Sequence, residues 1–139
     1  MLKRCFDKDR INAIVNDPSV RPFVGAPEMG DLDMTPVIDR HENWFLLGEH
    51  GGFLLIWSAP FTREVHTFIL PSGRGKWAAD ARQTVIDYAA KNGVKMLWTK
   101  IAPEHRHTDR FARQGGMQLT DEVIETFGKP YRVYWMELP

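Results

Sequence analysis

A glycine-rich turn set between a strand pattern and a long helical pattern constrains this chain more than any other feature of its sequence. From Arg63 to Leu70, the residues Val65, Thr67 and Ile69 alternate with Glu64, His66, Phe68 and Leu70. Both faces therefore carry apolar weight, as in a central strand covered on two sides. Pro71-Ser72-Gly73-Arg74-Gly75-Lys76 then turns the chain, and helical spacing runs from about Lys76 to Lys91, where Asn92-Gly93 ends it. Ala78, Ala81, Val85, Tyr88 and Ala89 form the inner face of that helix, several of them small enough for close packing on a sheet. A further strand follows from Val94 to Ile101, so the helix is a crossover between two strands of one sheet.

The flanks extend the same plan. Asn43 to Glu49 and Phe53 to Ser58 read as two strands joined by His50-Gly51-Gly52, a hairpin by spacing and turn chemistry. Near the start, Ile11, Ile14 and Val15 mark one helical face, with Asp7 as N-cap and Pro18 as the stop. Pro18 to Thr35 holds three prolines and two glycines and reads as irregular, with at most one short helical turn. Ala102-Pro103 opens a polar helix to about Gln114, which Gly115-Gly116 ends. Met117 to Leu119 is short and extended, and Tyr131 to Leu138 is a closing strand whose edge could pair across a dimer. The expected architecture is α/β (α+β): a mixed, mostly antiparallel sheet of about six to seven strands, with crossover helices on both faces.

Composition sets the outer limits. A length of 139 residues fits a single domain, 1–139, and 43% hydrophobic content is enough for a packed core. Eighteen basic residues balance eighteen acidic ones, which argues against a dedicated nucleic-acid or membrane-surface protein. Cys5 stands alone, so no intramolecular disulfide can form and a reducing compartment fits. The N-terminus has no apolar run of a signal peptide, and the longest apolar stretch, Phe53 to Trp57, is far too short to span a bilayer. A soluble, cytoplasmic protein is the expectation. His105 and His107 lie two apart on a helix and point in different directions, so no metal site is expected.

The element order, with a Gly-basic-Gly turn between a central strand and a long helix, resembles the GNAT superfamily of acyl-coenzyme A-dependent N-acyltransferases over about residues 43–138. Arg110-Phe111-Ala112-Arg113-Gln114-Gly115-Gly116-Met117 is similar to the family's later helix, which ends in a glycine and an apolar residue. The resemblance implies that acetyl-coenzyme A, or another acyl-coenzyme A, is the donor substrate. Thr67, Phe68, Ile69 and Leu70 would line its pantetheine arm. Ser72, Gly73, Arg74, Gly75, Lys76 and Trp77 would meet its pyrophosphate. Free N–H groups and the dipole at a helix start make such a turn an anion site in its own right. Two positions depart from the family pattern: Trp77 stands where a small residue is usual, and Ala112 where many members carry a tyrosine that protonates the leaving thiolate.

The resemblance also implies where the chemistry sits. His66 lies at a height on its strand where the family often places a base for the attacking amine, and an imidazole suits that work near neutral pH. Glu64, two residues earlier on the same face, would act through a water or orient the imidazole. The leading function is acetyl transfer to a primary amine by direct attack. Gly51-Gly52-Phe53-Leu54-Leu55-Ile56-Trp57 and Gly73-Arg74-Gly75-Lys76-Trp77-Ala78 are also similar to bacteriophage-encoded GNAT-like proteins, some linked to virion assembly and one to DNA-base modification. This leaves two alternatives: a non-catalytic phage binding or assembly part with a homodimer or phage structural protein as partner, and a nucleic-acid-modifying relative using Arg106, Arg110 and Arg113.

Overall fold

A computed structural model describes residues 1–25 and 27–139. Among the described residues, seven strands form one sheet in the order β1-β2-β3-β4-β5-β7-β6. They are β1 (Lys3–Arg4), β2 (Trp44–Gly48), β3 (Gly51–Ala59), β4 (Thr62–Ile69), β5 (Met96–Ile101), β6 (Gln118–Thr126) and β7 (Lys129–Glu137). Every pairing is antiparallel except β4 with β5. The mixed, mostly antiparallel sheet expected from the sequence is therefore what forms.

Among the described residues, four α-helices cover it: α1 (Lys8–Val15), α2 (Thr35–Ile38), α3 (Lys76–Lys91) and α4 (Arg106–Gln114). The sheet divides the apolar interior in two. On one face, Ile11 and Val15 of α1 and Ile38 of α2 pack with Phe45, Leu54 and Phe68. On the other, Ala81, Val85 and Ala89 of α3 pack with Leu46, Phe53, Leu55 and Leu97. The alanines of α3 let its axis lie close to the strands, and each fully buried large apolar side chain contributes about 1.5–3 kcal/mol.

The N-terminal segment takes its order from α1. Asp7 caps the helix by accepting from the Arg10 N–H at 3.1 Å. Asn16 then brackets the returning chain, donating to the Leu32 carbonyl and accepting from the Leu32 N–H, both at 2.7 Å. Asn12 accepts from the Met34 N–H at 2.8 Å. These side chains do for an irregular stretch what a ladder does for a strand. Two 3₁₀ turns, Arg21–Phe23 and Pro27–Met29, replace the single turn expected there. Ala26, within the same stretch, lies outside the described residues.

Several elements differ from the sequence expectation, the single-turn helix α2 among them. β1 pairs with β2 through only two residues, too few to leave a pattern. The hairpin turn is Glu49-His50, because Gly51 already pairs with Gly48. The short extended piece at Met117–Leu119 is the start of β6, nine residues long and mostly exposed. Strand β7 sits between β5 and β6, so both its edges are occupied, and the free edge belongs to β6 rather than to the closing strand. Among the described residues, no helix is long and apolar enough to cross a membrane.

Candidate functional site

Strands β4 and β5 run parallel and pair only at Thr62–Met96, Arg63–Leu97 and Glu64–Trp98. Beyond Glu64 they part. The Thr99 hydroxyl donates to the Val65 carbonyl at 2.9 Å, filling the first position where the ladder has stopped. The Leu70 N–H is bonded to the His50 carbonyl at 3.0 Å. Alternation along an antiparallel edge then turns the N–H groups of Thr67 and Ile69 toward the gap, while those of His66, Phe68 and Leu70 face β3. Of the four residues Thr67, Phe68, Ile69 and Leu70, two thus present backbone donors to the opening and two do not.

A cavity of about 60 Å³ opens at this splay, between the sheet and helices α3 and α4. Phe53, Val65, Thr67, Leu97, Phe111 and Ala112 contribute to its wall. The stacked rings of Phe53 and Phe111, 6.4 Å apart, brace it. Arg82 ties α3 to α4 by donating to the Phe111 carbonyl at 2.9 Å. Thr108 also faces the cavity and brings a hydroxyl from α4; Ala112 brings only a methyl group.

The turn leading to α3 is a 3₁₀ turn at Pro71–Gly73 followed by Gly75 as N-cap, with no side chain capping the helix. The first-turn N–H groups of α3 are therefore left for solvent or a ligand. Gly75 holds φ 105° and ψ −131°, a region open in practice to glycine alone. A Cβ there would meet nothing within 4 Å, so the constraint is purely backbone. Gly75→Ala is expected to cost about 1–3 kcal/mol of stability through that strain, read as a shift in the urea midpoint.

The side chains of this turn are already engaged. Ser72 lies 2.8 Å from His50 Nδ1. Arg74 donates to the Ser19 carbonyl at 3.0 Å, spanning to the segment after α1. Lys76 pairs with Asp80, one helical turn on, at 2.7 Å. Trp77 leans away from the splay: its ring stands edge-on to His50 at 5.1 Å, over Gly48 and Gly73, where a Cβ at either glycine would come within 2.8 or 3.0 Å of the indole. Its bulk fills the β2–β3 hairpin side, and it does not line the cavity.

On the opposite face of the sheet, β4 presents Glu64 and His66. Glu64 is buried; His66 Nε2 lies 3.3 Å from its Oε1, and Lys100 Nζ lies 3.5 Å from its Oε2. These are charge contacts without hydrogen-bond alignment, since Glu64 Oε2 and His66 Nε2 are both buried with no hydrogen-bond partner. Burial pushes the Glu64 carboxyl up, yet His66 and then Lys100 more than offset it and hold the group below its usual value. A carboxyl lowered in the folded state contributes stability above its unfolded pKa of about 4.3 and loses it as pH falls through the folded value. Glu64→Gln is expected to flatten the acid limb of a stability curve, measured as urea midpoints between about pH 7 and pH 3.

Lys100 and Thr99 carry no signal in the sequence, because only the β4–β5 register sets them against Glu64 and Val65. His105 forms the start of α4, with its ring 4.7 Å from that of Phe23, and His107 is exposed. Among the described residues, no group of His, Cys, Asp or Glu is arranged to hold a metal ion.

Comparison with known proteins adds to this geometry. The sequence matches no family model and no curated protein. Solved structures match over nearly the whole chain. One is a GNAT phosphinothricin acetyltransferase from Sinorhizobium meliloti, solved with acetyl-coenzyme A, at TM-score 0.72 and 17% identity, covering 99% of this chain and 88% of that one. An aminoglycoside acetyltransferase solved with coenzyme A and kanamycin matches at TM-score 0.72 and 12% identity, over 99% and 94%. A GNAT-family acetyltransferase from Bacillus anthracis matches at TM-score 0.66 and 16% identity, over 96% and 90%. With its seven-stranded sheet parted between β4 and β5 and its helices on both faces, this chain has the fold of the GNAT acetyltransferases.

Proposed function

We propose that the protein is an N-acyltransferase that moves an acetyl group from acetyl-coenzyme A to a primary amine. The observation that carries this reading is the splay of β4 from β5 after Glu64, with an apolar cavity on one side and the Glu64–His66 pair on the other. The Thr67 and Ile69 N–H groups suit the amide-bearing arm of the donor. The uncapped start of α3 suits its pyrophosphate through Gly75, Lys76 and the Trp77 N–H, with the Lys76 and Arg74 charges beside it. Acetyl-coenzyme A supplies an activated thioester carbonyl; the cavity wall excludes water around it.

Balance of the reaction is simple. A nitrogen–carbon bond forms, the carbon–sulfur bond breaks, and one proton leaves the amine. His66, whose Nε2 stands 3.3 Å from the Glu64 carboxylate, receives the amine proton on its imidazole. Backbone N–H groups at the splay stabilise charge on the carbonyl oxygen, as fixed dipoles do at no reorganisation cost. The thiolate leaves beside Thr108 and Ala112, and a thiolate is stable enough near neutral pH to depart without a strong acid.

Calorimetric titration with acetyl-coenzyme A tests the donor site, and saturable binding is expected. Trp77→Ala is expected to lower the melting temperature by removing a ring that packs over the hairpin, with no gain in donor affinity. A stronger titration by that variant would mean that the indole obstructs the groove. A second reading, a non-catalytic binding module on the same fold, is favoured by the methyl group of Ala112 where a proton donor would help. Donor binding without turnover on any amine would select it.

A further inference from the structure

The face of the sheet that carries Glu64 and His66 continues past them uncovered. Helices α1 and α2 pack over β2, β3 and β4, but over β5, β7 and β6 the same face opens into a groove of about 550 Å³. Trp98 and Trp135, register partners across the β5–β7 ladder, both line it. The Trp98 indole is fixed by its Nε1–H, which donates to the Ser58 hydroxyl at 2.9 Å. A bulge between Leu119 and Val123 reshapes the outer wall: Thr120 donates to the Val133 carbonyl at 2.9 Å and accepts from the Glu122 N–H at 3.1 Å. Bulges of this kind re-aim side chains beside binding sites. Here the bulge sets Thr120 and Glu122 along a groove whose remaining lining is Met96, Ile124 and Val133.

Position ties the groove to the chemistry. Trp98 is the register partner of Glu64 across the parallel pair, so it lies one strand spacing, about 4.8 Å, from the carboxylate-bearing strand, and Trp135 lies one spacing further. A volume of 550 Å³ suits a small ligand. Lys100 is turned to Glu64, which leaves the carboxylate of Glu122 as the charge in the groove.

Resting on the acyl-transfer reading, we infer that this groove seats the tail of the acceptor, and that the acceptor is a primary amine, neutral when it attacks after losing its extra proton to solvent, carrying a flat aromatic or apolar group on a short aliphatic spacer. The nitrogen reaches the Glu64–His66 pair, and the tail lies on Trp98 and Trp135. Indole faces offer flat apolar surface on which an aromatic ring packs.

Two probes of equal spacer length, 4-phenylbutylamine and n-butylamine, test the groove directly. Binding is read by quenching of tryptophan fluorescence and by calorimetry, with and without acetyl-coenzyme A; acetylation is read separately. The phenyl compound is expected to bind at least about tenfold more tightly, the effect of about 1.4 kcal/mol. Trp135→Ala, checked for folding by circular dichroism, is expected to abolish that advantage, while Trp135→Phe keeps most of it. Equal affinities for the two amines, or an advantage that survives Trp135→Ala, overturns the inference. So does a native dimer that dissociates on Trp135→Ala, since a second copy would then occupy the groove. If aryl-amine binding is seen but acetyl-coenzyme A never binds, the groove stands and the acyl-transfer reading falls. If the donor binds and turnover is indifferent to the ring, acyl transfer stands and the groove has no part in choosing the acceptor.

Discussion

Replacing His66 with alanine is expected to lower acetyl transfer by about 10²- to 10⁴-fold, the usual loss when a general base is removed, while leaving affinity for acetyl-coenzyme A within about twofold. The two readouts separate because His66 and the cavity proposed for the donor lie on opposite faces of β4. Val65 and Thr67 line the cavity, and His66 between them points the other way, toward Glu64. Steady-state kinetics on the amine and calorimetry on the donor check both halves. Loss of donor binding together with turnover would place His66 in the fold rather than in the chemistry. Full activity in His66→Ala would remove the imidazole from the mechanism. Glu64→Gln is expected to lower turnover less than His66→Ala, because it removes a group that positions the imidazole.

The largest stability effect is expected at the β2–β3 hairpin, in Gly51→Ala. Gly51 has φ 106°, and an added Cβ would lie 2.0 Å from the Phe68 carbonyl oxygen, a backbone atom of β4 that cannot swing away. Two penalties combine there: a left-handed backbone and a steric clash that pushes β4 off β3. A loss of about 3–5 kcal/mol is expected, a large part of the roughly 5–15 kcal/mol that holds a domain together. Gly128→Ala is the control. Its φ of 74° is also left-handed, but nothing lies within 4 Å of its Cβ, so about 1–2 kcal/mol is expected from strain alone. Urea unfolding of the two variants measures the difference. Similar losses in both would show that β4 accommodates the methyl group.

The parts of the fold legible in the sequence were those with a local signature. The alternation in β4, the small inner face of α3, Asn92-Gly93 at its end and the Asp7 cap all appear where their residue patterns place them. The parts that were not legible lack one. In β6, six of nine residues are exposed and none is buried, so Asp121 to Thr126 leaves little apolar pattern, and the strand exists because β7 offers a partner. α2 is a single turn of four residues. The irregular segment after α1 is organised by Asn12 and Asn16 across some twenty residues of chain, a separation that no local pattern announces.

The site divides the same way. Local patterning was enough to establish that a strand bearing Glu64 and His66 on one face runs into a glycine turn and a helix start, because period-two alternation and glycine chemistry are properties of the nearby backbone. What those groups meet came from long-range packing. The pairing of β4 with β5 for just three residues opens the splay and sets Lys100 against Glu64, and packing on His50 and the hairpin glycines holds Trp77 away from it. The β5–β7 ladder places Trp98 and Trp135 side by side on an uncovered face. These are contacts between segments far apart in the chain. They are fixed by strand order and register, which depend on how the whole sheet buries its two faces and not on any one stretch of sequence.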